Sequence, residues 1–362
     1  MMEISSLRQR GRAMINPDSK KITIIAILAI LEKYSDVEHK LTAKQIIDHL
    51  SAEYGIAIDR KAVKRNLIDL VDFGYDIEYT ETTKVNPKGE KESIYTDWYI
   101  NHKFDNSELR MLIDSLLFSK HIPYSQCKEL IEKLCELSNT YFKNSMQHVH
   151  NLPETMPRNP ELFLAIEVID EAIRRKKQVA FNYTDFDVNK EKQLRTVTNG
   201  EPYLYEVTPY QMVATNGRYY LICGTDKHND LGHYRVDRIA NIKLLEKSKA
   251  RPLKEIKGCE HGLNLPKHMA EHIYMYSGES VRVKFIAEYN AYRIMNDLVD
   301  WFGQDFTVRK IDDQFVEISL VVNEDAMVNW AMQYGSLVEV KSPKRLRDRL
   351  AYSSKKMADK YR

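Results

Sequence analysis

Cysteine is scarce in this 362-residue chain, and the few present do not cluster. Cys127, Cys135, Cys223 and Cys259 never reach a Cys-x-x-Cys spacing, which argues against a zinc ribbon or a thioredoxin-type redox pair. They read as small buried residues of a reducing compartment. Glycine and proline are sparse too, and no long stretch has a disordered composition. Neither sign of charge dominates: 54 Lys and Arg stand against 52 Asp and Glu. Any nucleic-acid contact must therefore come from a local basic surface. The longest early apolar run, residues 22–31, is too short to span a bilayer. A cytoplasmic location is expected. A nucleophile elbow, a P-loop and an H-E-x-x-H helix are also missing. The expectation is a non-enzymatic protein with no cofactor and no metal.

What is present begins with helical periodicity. Residues 21–34 carry Ile24, Ile27, Leu28 and Leu31 on one face. Thr42 is a suitable N-cap for a second helix with Ile46, Ile47 and Leu50, ending near Gly55. Asp59 caps a third, which Gly74 ends. Two short helices across a glycine-containing turn form the helix-turn-helix pattern. The third helix sets Val63, Leu67 and Leu70 against Arg60, Lys61, Lys64 and Arg65, four cations in six residues. Cations at the start of such a helix suit phosphates and guanine edges in a major groove. Residues 75–79 and 93–100 read as strands around a polar loop, a wing with Lys84, Lys88 and Lys91 near its tip. A solvated charged face is the plainer alternative. Residues 66–100 are acidic enough to temper non-specific affinity.

Asp105 and Glu108 have capping-box spacing and open a helix with Leu109, Leu112, Ile113, Leu116 and Leu117. A second helix is expected over residues 125–142, giving a helical hairpin that both packs on the next domain and pairs with a second subunit. Three prolines in residues 151–160 mark a linker. His148 and His150 flank Val149 without a third ligand nearby, so a solvated pair is favoured over a metal site. After a helix over 162–175 the period shifts from about 3.6 to 2. Strands are expected at 178–186, 206–215, 218–225 and 233–246. Asn216-Gly217 is a strong two-residue hairpin signal. One helix and four or five antiparallel strands suggest a small β-barrel.

The segment Gly217-Arg218-Tyr219-Tyr220-Leu221, followed by Tyr234-Arg235-Val236-Asp237-Arg238-Ile239, resembles the WYL domain. The family's Trp-Tyr-Leu triplet is here Tyr219-Tyr220-Leu221. The Pro209-Tyr210 pair and the Arg-x-Asp-Arg-Ile element also match. The resemblance implies an Sm-like or SH3-like barrel behind a winged helix-turn-helix in a bacterial transcription regulator. It further implies ligand sensing, with nucleotides or nucleic-acid fragments as ligands. From the residues alone, arginine beside tyrosine on a strand suits a phosphate and a stacked base. Arg235 and Arg238 are the first candidates, with Tyr210, Arg218 and Tyr220 beside them, and Tyr183 and Arg195 behind. The alternative is that the tyrosines are packing residues and the arginines are ion-paired. Tyr219 reads as core.

Residues 265–362 alternate β-α-β-β-α-β, the order of a ferredoxin-like α/β sandwich. This resembles the C-terminal extension found after the WYL domain. A final helix begins at Pro343 with Lys344, Arg345, Arg347 and Arg349. These residues suit either closure over an anion or a solvated end. The expected fold class is thus α+β multidomain. Its parts are a winged helix-turn-helix (1–100), a helical connector (101–160), a small barrel (161–250) and a ferredoxin-like extension (265–362). The expected function is a homodimeric regulator that binds operator DNA under the control of an anionic ligand, a nucleotide or single-stranded nucleic acid. An accessory nucleic-acid-binding protein of a phage-defence or RNA-guided system is the alternative.

Overall fold

The computed structural model describes residues 20–85, 91–119, 122–146, 161–289 and 294–362. His148, His150, Lys88 and the proline-rich linker lie outside these residues. The chain divides into two compact units, Met1–Thr155 and Met156–Arg362.

The first unit opens with three helices, α1 (Lys20–Tyr34), α2 (Ala43–Tyr54) and α3 (Arg60–Phe73). Thr42 and Gln45 form a reciprocal capping box on α2, with Gln45 N donating to Thr42 Oγ1 at 3.3 Å. Ala62 N donates to Asp59 Oδ1 at 2.8 Å and starts α3. Gly74, at φ 108°, ends it in the left-handed region that costs glycine nothing. The apolar faces of the three helices meet in one core of Ile27, Ile30, Leu31, Ile46, Leu50, Val63, Leu67 and Leu70. The α1 face is turned from its expected centre: Ala26 and Ile30 are buried, while Ile24 and Leu28 are partly buried.

Strands β1 (Ile77–Val85) and β2 (Lys91–Ile100) form an antiparallel hairpin behind α3. It is longer than expected. Thr80, Thr82, Thr83 and Val85 are β-branched and continue the strand into the stretch read as loop. A bulge opposite Tyr79 uses Asp97 at φ 56°. Trp98, 1% exposed, exchanges two backbone hydrogen bonds with Leu41, 2.8 and 2.9 Å, and fastens the hairpin to the helices. The connector follows as α4 (Asn106–Phe118), α5 (Tyr124–Cys135) and α6 (Thr140–Ser145). The helix expected over 125–142 is therefore two helices. Asn139 accepts a hydrogen bond from Phe142 N and starts a new one, while its Nδ2 donates to Ser35 O at 3.3 Å. Asn139 thereby ties the connector to the end of α1.

The second unit begins with α7 (Leu162–Arg175), which buries Leu162, Ala165, Ile169 and Ala172. Six strands follow: β3 (Gln178–Phe186), β4 (Lys192–Leu194), β5 (Leu204–Thr215), β6 (Arg218–Gly224), β7 (Gly232–Arg235) and β8 (Ile239–Leu245). Their order is β4-β3-β5-β6-β7, with β8 also on β3. Asn216 and Gly217, at φ 51° and 71°, make the turn between β5 and β6, as their residue types require. The strand expected over 233–246 is broken by a tight turn, Val236–Arg238. The break moves the chain from pairing with β6 to pairing with β3. No ladder joins β7 to β8 among the described residues, so the sheet is a half-barrel.

A short helix, α8 (Leu265–Glu271), precedes β9 (Ser280–Glu288), α9 (Ile294–Phe302), β10 (Phe306–Lys310), β11 (Phe315–Asn323), α10 (Glu324–Gln333), β12 (Val338–Ser342) and α11 (Lys344–Lys360). These four strands form an antiparallel sheet in the order β10-β11-β9-β12. Phe285, Leu298, Phe302, Ile318, Leu320 and Trp330 fill the core between this sheet and its helices.

Candidate nucleic-acid interface and arginine site

Successive helical residues turn by about 100°, so Arg60, Lys61, Lys64 and Arg65 occupy one arc of α3, away from Val63, Leu67 and Leu70. Arg60, Lys61 and Arg65 are exposed and make no ion pair among the described residues. Lys64 differs. Its Nζ lies 3.8 Å from the centre of the Tyr95 ring and 3.4 Å from Ser93 O. It braces α3 against β2 while carrying its charge on the same arc. Lys84 and Lys91 are exposed at the ends of β1 and β2.

The second candidate site is built on β6, β7 and the turn after it. The register sets Tyr220 opposite Arg235 and Thr215 opposite Arg218. Arg235 grips Asp237 with both arms of its guanidinium: Nε to Oδ1 at 3.0 Å and Nη2 to Oδ2 at 2.6 Å. The pair is largely buried, with 18% and 13% of the two side chains exposed. Burial works against the Asp237 carboxylate. The bonds from Arg235, with Arg218 and Arg238 nearby, outweigh it and hold the carboxyl below its ordinary value. Arg238 Nη1 donates to Asp185 Oδ1 at 3.0 Å, and Arg195 Nε to Asp185 Oδ2 at 2.6 Å. Asp185 thus serves two arginines.

Arg218 has no such partner. Its side chain makes no hydrogen bond or ion pair among the described residues, although it is half-buried. Burial, and then repulsion from Arg235, lower its hold on its proton. Lys192 is in the same position electrically: burial first, then Arg235 and Arg238, push its pKa down. Among the described residues its Nζ donates only to the backbone carbonyl of Asp237, at 3.3 Å. Lys192, Arg218, Arg235 and Arg238 therefore surround one carboxylate, Asp237, with Asp185 shared at the edge. The group carries excess positive charge in a partly desolvated place, and an external anion would balance it.

Of the residues expected here from sequence, the structure brings together Arg218, Tyr220, Arg235, Arg238 and Tyr183. The Arg235 backbone amide donates to the Tyr183 hydroxyl at 3.0 Å. Tyr210 stands apart. It bulges from β5, its hydroxyl donates to Arg251 O at 3.0 Å, and burial raises its pKa to about 12. Tyr219 is partly exposed rather than core. Sequence reasoning missed Lys192 and Asp185, which lie on β4 and β3 in stretches without a motif. Phe181, Tyr183, Tyr203, Tyr205 and Tyr234 form an aromatic cluster next to the group, Tyr183 belonging to both. The basic start of α11 is also spent internally: Arg345 and Arg349 pair with Glu324, and Arg347 with Glu339. All four cysteines are buried, and none is joined in a disulfide among the described residues. Among the described residues no three His, Cys, Asp or Glu side chains are grouped to hold a metal ion. No helix among them is long and apolar enough to cross a membrane.

One helix on an antiparallel half-barrel, with four cations gathered round a carboxylate, defines a small cation-rich β module. Residues 165–244, from α7 into β8, match the family model of the WYL domain, so this module of the chain is a WYL domain. No curated protein matches it. Among solved structures it is similar to proteasome accessory factor B/C (PafBC) of Arthrobacter aurescens, at 15% identity and a TM-score of 0.26. That match covers 92% of this chain and 47% of the other, so the chain spans about half of PafBC's length. It is also similar to a CRISPR Cas-related protein, at 15% identity and a TM-score of 0.35, covering 94% of this chain and 85% of that one.

Proposed function

We propose that the chain is a DNA-binding transcription regulator whose operator binding answers to an anionic ligand at the WYL domain. The carrying observation is the arc of α3, where Arg60, Lys61 and Arg65 are exposed and form no ion pair among the described residues, on a helix capped at both ends. On this reading the first hundred residues are a winged helix-turn-helix, α3 enters the major groove, and the β1–β2 hairpin is the wing. Residues 101–160 connect it to an SH3-like half-barrel at 161–250 and a ferredoxin-like extension at 265–362. The four-strand order and the α9 and α10 crossovers support the last assignment. Two copies present two such helices to a two-fold operator in the cytoplasm. No chemistry is catalysed.

The effector is a nucleotide or a short single strand of nucleic acid. Arg218 and Lys192 take its phosphate, and the neighbouring tyrosines offer a stacking surface. The test is a titration of the protein's own promoter region across salt concentrations. Arg60→Ala with Lys61→Ala and Arg65→Ala should flatten the log–log salt slope by about 3, one for each phosphate that is no longer neutralised. An unchanged slope removes the DNA reading. Short DNA, RNA and mononucleotides titrated against the Arg218→Ala variant then identify the effector class.

A further inference from the structure

Outside the arginine group, β7 meets α8 through three histidines. His233 Nε2 and His268 Nε2 lie 2.8 Å apart. The His268 and His272 rings stack with centroids 4.1 Å apart, and His233 lies 5.2 Å from His272. His272 is 7% exposed, and its Nδ1 donates to His268 O at 3.0 Å. Ser277 Oγ is 3.4 Å from His233 Nδ1. The same junction brings Leu265 and Met269 of α8 onto an apolar cluster of Val213, Ile222, Ile256 and Met275.

Two ring nitrogens at 2.8 Å make a hydrogen bond only if one carries a proton and the other a lone pair. With a second proton, two N–H groups face each other and the bond is lost. We propose that His233 and His268 form a proton-operated clasp between β7 and α8, closed with one proton between the facing nitrogens and opened when both rings are charged. What faces the pair is nearly neutral. From α8 comes His268 with Glu271, which acts on His272 and has Lys267 Nζ 3.8 Å away. From the following loop come His272, the Ser277 hydroxyl and the Gly278 backbone. From β7 comes His233 alone. Among the described residues no carboxylate sits on the His233–His268 pair to hold a second proton.

The direction of the pH response follows. Burial, and then repulsion among the rings, push His233 down to about 3 and His268 to about 4. Released from the clasp, each returns toward its ordinary value of about 6.5. The closed state is therefore undisturbed above that value and loses ground as pH falls below it. The equilibrium shifts toward opening by about tenfold per pH unit for each histidine until the closed-state values are reached. Between pH 6.5 and 5 this is roughly fifteenfold per ring, because the released ring is already half charged at pH 6.5. The movement has somewhere to register. Pro266, Lys267, Ala270 and Glu271 of α8 line a cavity of about 700 Å³ whose other wall includes Arg282 and Ser319 of the C-terminal sheet.

The test is amide hydrogen exchange on the full chain, corrected for the intrinsic effect of pH, with histidine ¹⁵N spectra on the same samples. Protection of the His268, His272 and Met275 amides should fall between pH 7 and 5, as both rings gain charge. His233→Leu should reduce that fall at least tenfold. His268→Gln keeps a polar partner for His233, accepts no second proton, and should do the same if the leucine variant fails to fold. An identical pH profile in the wild type and both variants overturns the clasp, as does finding both rings charged at pH 7. A profile abolished by a metal chelator also overturns it, since the nitrogens would then be holding an ion.

Discussion

Arg218 and Arg235 belong to one group of cations and stand in opposite circumstances. Arg235 is bound at both arms by Asp237, whereas Arg218 has no hydrogen-bond or ion-pair partner among the described residues. Replacing Arg218 with Met keeps the apolar stem and removes an uncompensated, half-buried charge. Thermal stability should be unchanged or slightly higher, and anion affinity should fall by tenfold or more, as titration calorimetry with a short oligonucleotide will read. Asp237→Asn does the reverse. It strands the Arg235 guanidinium and should cost about 3 kcal/mol in denaturant unfolding. Because Asp237 is held below its ordinary carboxyl value, its contribution is present above that value and lost as pH falls through the held one. The wild type should therefore lose more stability than Asp237→Asn on acidification through the carboxylate range. Equal losses would detach the pair from the acid response.

At the scale of elements, what was legible in the sequence was what is local. The Thr42 and Asp59 caps, the Asp105–Glu108 capping box and the Asn216-Gly217 turn depend on residues within a few positions of each other, and all formed as their types require. What depends on distant pairing was hidden. The break at Val236–Arg238 exists because β7 pairs with β6 while β8 pairs with β3, a choice no short stretch of sequence contains. The same holds for Arg238, whose acceptor Asp185 is 53 positions away. The candidate site was therefore half legible: its arginines announced themselves, and their partners did not. Gly74 offers a test of a local rule. A Cβ there meets nothing within 4 Å, so Gly74→Ala adds only the conformational cost of φ 108°. The expected loss is about 1 kcal/mol, a fall in melting temperature of roughly 4 °C for the transition of the first unit. A much larger fall would mean that α3 and the hairpin depend on one another through this joint.

For the whole molecule, regulation is a statement about free energies at two sites, and it can be checked without knowing the path between them. If an anion at Arg218 and Lys192 changes operator affinity by some factor, the operator must change anion affinity by the same factor. Allosteric couplings typically correspond to factors of roughly 5 to 150. Operator binding measured by anisotropy with and without saturating oligonucleotide gives the first ratio, and oligonucleotide binding with and without operator gives the second. The two should agree for the wild type. Arg218→Ala should bring both to one while leaving operator affinity without effector intact, because Arg218 is not on the α3 arc. Replacing Arg60, Lys61 and Arg65 should leave oligonucleotide affinity intact and abolish only the operator response. If the first variant retains the wild-type ratio, the gate lies outside the arginine group. If the two wild-type ratios disagree, the oligonucleotide competes for the α3 surface, and the two sites are one.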